Sequence, residues 1–244
     1  MQKFNFEKEE HPLIEKLTME ARAEALVAGW KGFITVEDFA NVDVNRVAIQ
    51  KIRSRGLIEN AAWGVYISPE ARAEAGPLYD LALVNAKFPR AVFCLQTAAA
   101  FHGITQDVME EATAFVPRSY GAGPKMGREF TVPIDYIVTR RESVLEKGVE
   151  WYEVGGGCAA RITTPERTLV DMFRYSTRGT EGNYDALIEA EAYRVCVERC
   201  VDLEDRGEFD FDEAYMIAAE FDFMDALINS TADIRHYYTP SPAP

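Results

Sequence analysis

The sequence predicts an α+β chain: a small helical unit closed by a β-hairpin, then an α/β domain that runs into acidic helices. Three observations predict it. Apolar residues recur at helical spacing between residues 12 and 56, and two β-prone runs around a small-residue turn follow at 57–68. Beyond residue 90, short β-prone stretches alternate with helical ones before two acidic helical segments. With 48% hydrophobic and 27% charged residues, the 244-residue composition is that of a globular chain able to bury a core without staples.

The elements follow in order. Residues 1–11 read as a flexible lead. Pro12 opens a helix through LIEKLTMEARAEALVAGW, with Leu13, Leu17, Ala21 and Ala25 spaced by four, and Gly32 ends it. Thr35 and Asp38 form a capping-box pattern that opens a short helix over EDFAN. Asp43 or Asn45 caps the next helix, which closes at Gly56. The runs Leu57–Glu59 and Gly64–Ser68 then make a β-hairpin ending at Pro69. Helix, helix, turn, helix, hairpin is the layout of a winged helix-turn-helix over residues 12–69.

An α/β domain is expected over 70–180. Helices read at GPLYDLALVNAKF, at Gln96–His102 and from Thr164-Pro165, where Thr caps and Pro takes the first helical position. Strands read at Arg90–Leu95, 112–117, 130–138, 149–154 and CAARITT, with a turn at Gly155–Gly157. An acidic helical region, 181–236, holds helices at Tyr184–Arg206 and Phe211–Ile228, and 237–244 reads as a disordered tail.

Charge is unevenly placed. The net charge is −14, yet Glu181–Asp225 has 15 acids against 3 bases, while Val44–Arg141 has 12 bases against 9 acids. Between Asp43 and Glu59 lie four cations, Arg46, Lys51, Arg53 and Arg55, and no acid. At 100° per residue, Val44, Ala48, Ile49 and Ile52 fall on one face. Arg46, Gln50 and Arg53 fall on the other, with Val47 and Ser54 beside them. Arg can read guanine and Gln adenine, each with two hydrogen bonds, so Arg46 and Gln50 are the base-contact candidates. Lys51, Arg53 and Arg55 are phosphate candidates. Asn45 and Ser54 complete the DNA-binding candidates of this helix, and Asn60 near the hairpin tip can reach a phosphate or the minor groove. The alternative is an amphipathic helix with a solvated basic face.

Other stretches carry weaker chemistry. Arg118, Lys125 and Arg128 on the loop RSYGAGPKMGRE are an accessory DNA contact or a plain exposed hairpin; the loop lacks the order of a phosphate-cradling P-loop. Thr164, Pro165, Glu166, Arg167 and Asp171 read as a structural helix start, with Arg167 and Asp171 paired at i,i+4. Asp210-x-Asp212 reads as an acidic helix start. Cys94, Cys158, Cys196 and Cys200 include no CxxC pair, and with three histidines no metal site, cofactor or catalytic set is assembled. No run approaches the roughly 18–20 apolar residues that span a bilayer, and the N-terminus has no secretory pattern. The expected setting is a reducing cytoplasm, away from membranes.

GFITVEDFANVDVNRVAIQKIRSRGLIENAAWGVYISP resembles the N-terminal winged helix of AbiEi-type antitoxins, transcriptional regulators of abortive-infection toxin–antitoxin systems. The matching pieces are Gly32-Phe33-Ile34-Thr35, Arg53-Ser54-Arg55-Gly56 and Gly64-Val65-Tyr66, where Ser54 departs from the family's basic pair. FCLQTAAAFHGI and TTPERTLVDMFR resemble two further segments of the family in the same order, so the likeness spans roughly residues 32–175. The resemblance implies a non-enzymatic autoregulator that binds inverted repeats of operator DNA, usually as two copies. It also implies a functional partner, a nucleotidyltransferase-type toxin. A solo winged-helix regulator without a toxin is the nearest alternative. A nucleic-acid-processing enzyme docking through the winged helix is another, and it needs a carboxylate or His cluster that the sequence does not assemble.

Overall fold

The computed structural model describes residues 17–105, 111–121, 132–177 and 188–238. It is a mixed α and β structure with a three-stranded and a five-stranded sheet. Two compact units interleave along the chain. Among the described residues the first holds 17–89 and 151–161, and the second holds 90–105, 111–121, 132–150, 162–177 and 188–238.

In the first unit, α1 spans Met19–Gly29. The expected start at Pro12 lies outside the described residues; Thr18 sets the start at Met19, its hydroxyl accepting from Ala21 N at 3.3 Å. A strand the sequence did not announce, β1 (Phe33–Thr35), follows. Helix α2 (Val36–Asn41) is fixed by a complete capping box: Thr35 N donates to Asp38 Oδ2 at 2.8 Å, and Asp38 N donates to Thr35 Oγ1 at 3.2 Å. Helix α3 spans Arg46–Ser54, with Asn45 as its N-cap.

The hairpin is β2 (Glu59–Ala62) and β3 (Val65–Ile67). It starts two residues later than expected, because Leu57 and Ile58 are spent closing α3: Leu57 N donates to Ile52 O and the Ile58 side chain is buried with the helices. Strand β3 is central, antiparallel to both β1 and β2, with an irregularity between Asn60 and Ala62. Leu26, Ile34, Phe39, Ile49, Ile52, Ile58 and Tyr66 make one core. Tyr66 anchors the hairpin, its ring edge-on to Phe39 at 5.9 Å.

Helices α4 (Pro69–Glu74) and α5 (Tyr79–Lys87) complete the contiguous part. Segment 151–161 adds to it through backbone. Gly156 and Gly157 have φ of +59° and +72°, and a Cβ at either would collide, with Ala71 O and Lys31 Cβ respectively. Arg161 N donates to Asn85 Oδ1 at 2.7 Å.

The second unit opens with β4 (Val92–Phe93), α6 (Leu95–Phe101), β5 (Ala112–Pro117) and β6 (Ile134–Thr139). It continues with α7 (Glu142–Glu146) and α8 (Pro165–Thr177); between them in the chain runs the hairpin β7 (Val149–Gly155) and β8 (Cys158–Thr163), whose residues 151–161 belong to the first unit. The sheet order is β6-β5-β4-β8-β7. Strand β4 is antiparallel to β5 and parallel to β8, while β5 and β6 are parallel.

Helices α9 (Ala190–Glu204), α10 (Phe211–Ala219) and α11 (Met224–Tyr238) follow. The expected single helix at 211–228 is broken at Asp222, a non-glycine residue with φ +67°. The break lets Phe221 and Phe223, stacked at 6.2 Å, both turn to the core that Phe115, Phe173, Val197, Phe211 and Leu227 share. Cys94, Cys158, Cys196 and Cys200 are buried free thiols. Among the described residues no helix is long and apolar enough to cross a membrane.

Candidate nucleic-acid interface

Helix α3 presents the basic island. Asn45 begins it: Oδ1 accepts from Ala48 N at 3.0 Å, satisfying an orphan donor of the first turn. Ala48, Ile49 and Ile52 bury one face, at 3%, 1% and 0% exposure. Arg46, Gln50 and Arg53 are exposed. The Arg53 guanidinium lies 3.5 Å from Gln50 Oε1, across one turn of helix. Ser54 donates back to Lys51 O at 2.8 Å, so its hydroxyl is committed to the helix end.

Lys51 and Arg55 are placed otherwise than a phosphate role alone suggests. Both turn toward α1, Lys51 pairing with Glu20 and Arg55 with Glu24. The acids are four apart on α1 and the bases four apart on α3, so the pairs form two successive rungs between the helices. All four side chains stay between about one third and three fifths exposed, so the rungs sit at the surface. Glu20 and Glu24 were not singled out in the sequence. The signal was there in the matching i,i+4 spacings, but only the fold says that these two stretches face each other.

The hairpin carries Asn60, exposed on β2 and opposite Tyr66 in register. Its tip is Trp63-Gly64, where Trp63 is 82% exposed and Gly64 has φ +78°. Gly64 O accepts from Val36 N at 3.0 Å, which ties the tip to the start of α2.

The remaining described candidates belong to the second unit. Arg118 is exposed in a 3-10 turn, Arg118–Tyr120; Lys125 and Arg128 lie outside the described residues. Thr164, Pro165, Glu166, Arg167 and Asp171 come together at the start of α8. Thr164 Oγ1 accepts from Arg167 N at 3.2 Å. Arg167, fully buried, donates from Nε to Asp171 Oδ1 at 3.0 Å and from its other nitrogens to Lys147 O and Val144 O. Its guanidinium also lies 4.4 Å from the Phe221 ring centroid. Burial pushes the Asp171 carboxyl up despite the Arg167 charge beside it, and Asp171 Oδ2 has no hydrogen-bond partner among the described residues. Burial also raises Glu166, whose Oε1 accepts from Asp210 N at 3.3 Å.

Asp210 in turn caps α10, Oδ1 accepting from Asp212 N and Glu213 N. In α9, Cys196, Cys200 and Leu203 pack inward, whereas Val195 is 37% exposed on the side of the acids. Among the described residues no group of three His, Cys, Asp or Glu side chains is placed to hold a metal ion. Neither a known family nor a curated protein matches the chain.

Proposed function

We propose that the chain is a DNA-binding transcriptional regulator whose first unit works as a winged helix. Helix α3 is the recognition helix and β2–β3 the wing. The observation that carries this reading is the outer face of α3. Arg46, Gln50 and Arg53 stand exposed on a helix whose opposite face is buried, and a hairpin with an exposed Asn60 and Trp63 follows it. Arg46 and Gln50 occupy the first turns, the part of such a helix that meets base edges in the major groove. Arg53 supplies a phosphate contact, which adds affinity without sequence information.

The resemblance to AbiEi-type antitoxins extends the reading. The chain would repress its own operon by binding inverted repeats, two copies at a time, and would counter a nucleotidyltransferase-type toxin. A solo regulator shares the DNA-binding part and differs in lacking the toxin. Arg46→Ala with Gln50→Ala should abolish specific binding to the upstream intergenic DNA in a gel-shift, while far-UV circular dichroism stays unchanged. Unchanged affinity would sink the assignment. The neighbouring gene separates antitoxin from solo regulator: a nucleotidyltransferase encoded there, whose growth arrest co-expression of this chain relieves, favours the first, and the lack of such a gene favours the second.

A further inference from the structure

The outer face of α3 is not uniformly basic. On the helical wheel its centre, opposite the buried Ala48, Ile49 and Ile52, is the line Val47–Gln50–Ser54. The cations flank this line, Arg46 and Arg53 on one side and Lys51 and Arg55 on the other. Val47 is 64% exposed there, while every other apolar residue of α3 is at most 3% exposed. A β-branched residue gains nothing for an exposed helix position, where its stiff side chain lowers propensity and its methyl groups meet only water. Its use comes when that water is displaced.

Taking the DNA-binding reading above as its premise, we infer that Val47 is a specificity-determining residue that reads the C5-methyl group of a thymine in the major groove. That methyl is the one apolar group the major-groove edges present, and a small apolar side chain is what recognises it. Val47 sits in the first turn, among the residues of a recognition helix that reach base edges. Gln50 lies three residues on, about 4.5 Å along the helix axis. That is little more than the rise of about 3.4 Å between stacked base pairs. The thymine read by Val47 therefore falls within one or two base pairs of the base that Gln50 contacts.

The test uses the full chain and a duplex it enriches from a random-sequence DNA library. Each thymine of that duplex is replaced singly by deoxyuridine, which keeps the pairing and removes only the methyl. The wild type should lose affinity by about fourfold at one position, the factor that burial of one methyl-sized group corresponds to. Val47→Ser should bind the thymine and deoxyuridine duplexes equally at that position, and Val47→Ile should keep the preference. An enriched duplex with no deoxyuridine-sensitive position, or a Val47→Ser chain that retains the preference, overturns the inference and leaves DNA binding standing. Enrichment of no duplex overturns both.

Discussion

At the scale of single residues, Arg167 shows how a motif that looks chemical is absorbed by architecture. Each of its three nitrogens donates, one to a carboxylate and two to backbone carbonyls, and its planar cation covers an aromatic ring. Removing one partner of such a buried pair leaves the other charge uncompensated, which costs about 3–5 kcal/mol, whereas replacing both by apolar residues costs far less. Arg167→Ala should therefore lower the unfolding free energy by about that amount in urea denaturation, and Arg167→Met with Asp171→Leu by less. A double variant as damaged as the single one would mean that the carboxylate is not what makes Arg167 indispensable. Gly148 reinforces the site from the other side: it has φ +58°, and a Cβ there would lie 2.6 Å from Arg167 Cβ.

At the scale of elements, the α1–α3 contact sets the electrostatics of the basic island. Two of its four cations are already neutralised by acids of the same chain. In the proposed DNA complex, phosphates would compete with Glu20 and Glu24 for Lys51 and Arg55, so the affinity should fall less steeply with salt than four cations would predict. Glu20→Gln with Glu24→Gln should tighten operator binding at low salt. It should also steepen the log–log salt slope by about 0.9 for each phosphate newly engaged. An unchanged slope would show that the two bases stay off the DNA.

The elements also differ in how openly the sequence declared them. Helices α2 and α3 were legible because Thr35, Asp38 and Asn45 make their capping bonds within three residues. Strand β1 was not, since its three residues become a strand only by pairing with Val65–Ile67 some thirty positions on. The break at Asp222 was hidden for a related reason: no Gly or Pro marks it, and the turn is held by backbone bonds to Ala218 and Ala219 together with the burial of Phe221 and Phe223. The outward face of α3 could be drawn on a wheel, but the acids opposite Lys51 and Arg55 belong to a helix whose position only the tertiary fold fixes.

At the scale of the whole molecule, the proposed DNA-binding unit is larger than its contiguous sequence. The segment 151–161 belongs to it, pressed glycine backbone first against Lys31 and Ala71 and bonded to Asn85. A fragment ending at residue 89 lacks that segment. It should melt at a lower temperature than the first transition of the full chain, and a synthetic peptide of residues 151–161 added in trans should raise its melting temperature. A fragment as stable as the intact unit would show that the segment adds nothing. The uneven charge is likewise a property of the whole: acids such as Glu191, Glu198 and Asp202 lie on α9, away in sequence from the basic island, so the net charge of −14 says little about the field at α3.

The interleaving of 17–89 with 151–161 also bears on heredity. A single recombination crossover near codon 89 would carry off most of the first unit and leave its glycine hairpin behind in the other product. Exchanging this unit between related chains thus takes two coordinated splices, and its inheritance is bound to that of the second unit in a way that a simple N-terminal module would not be.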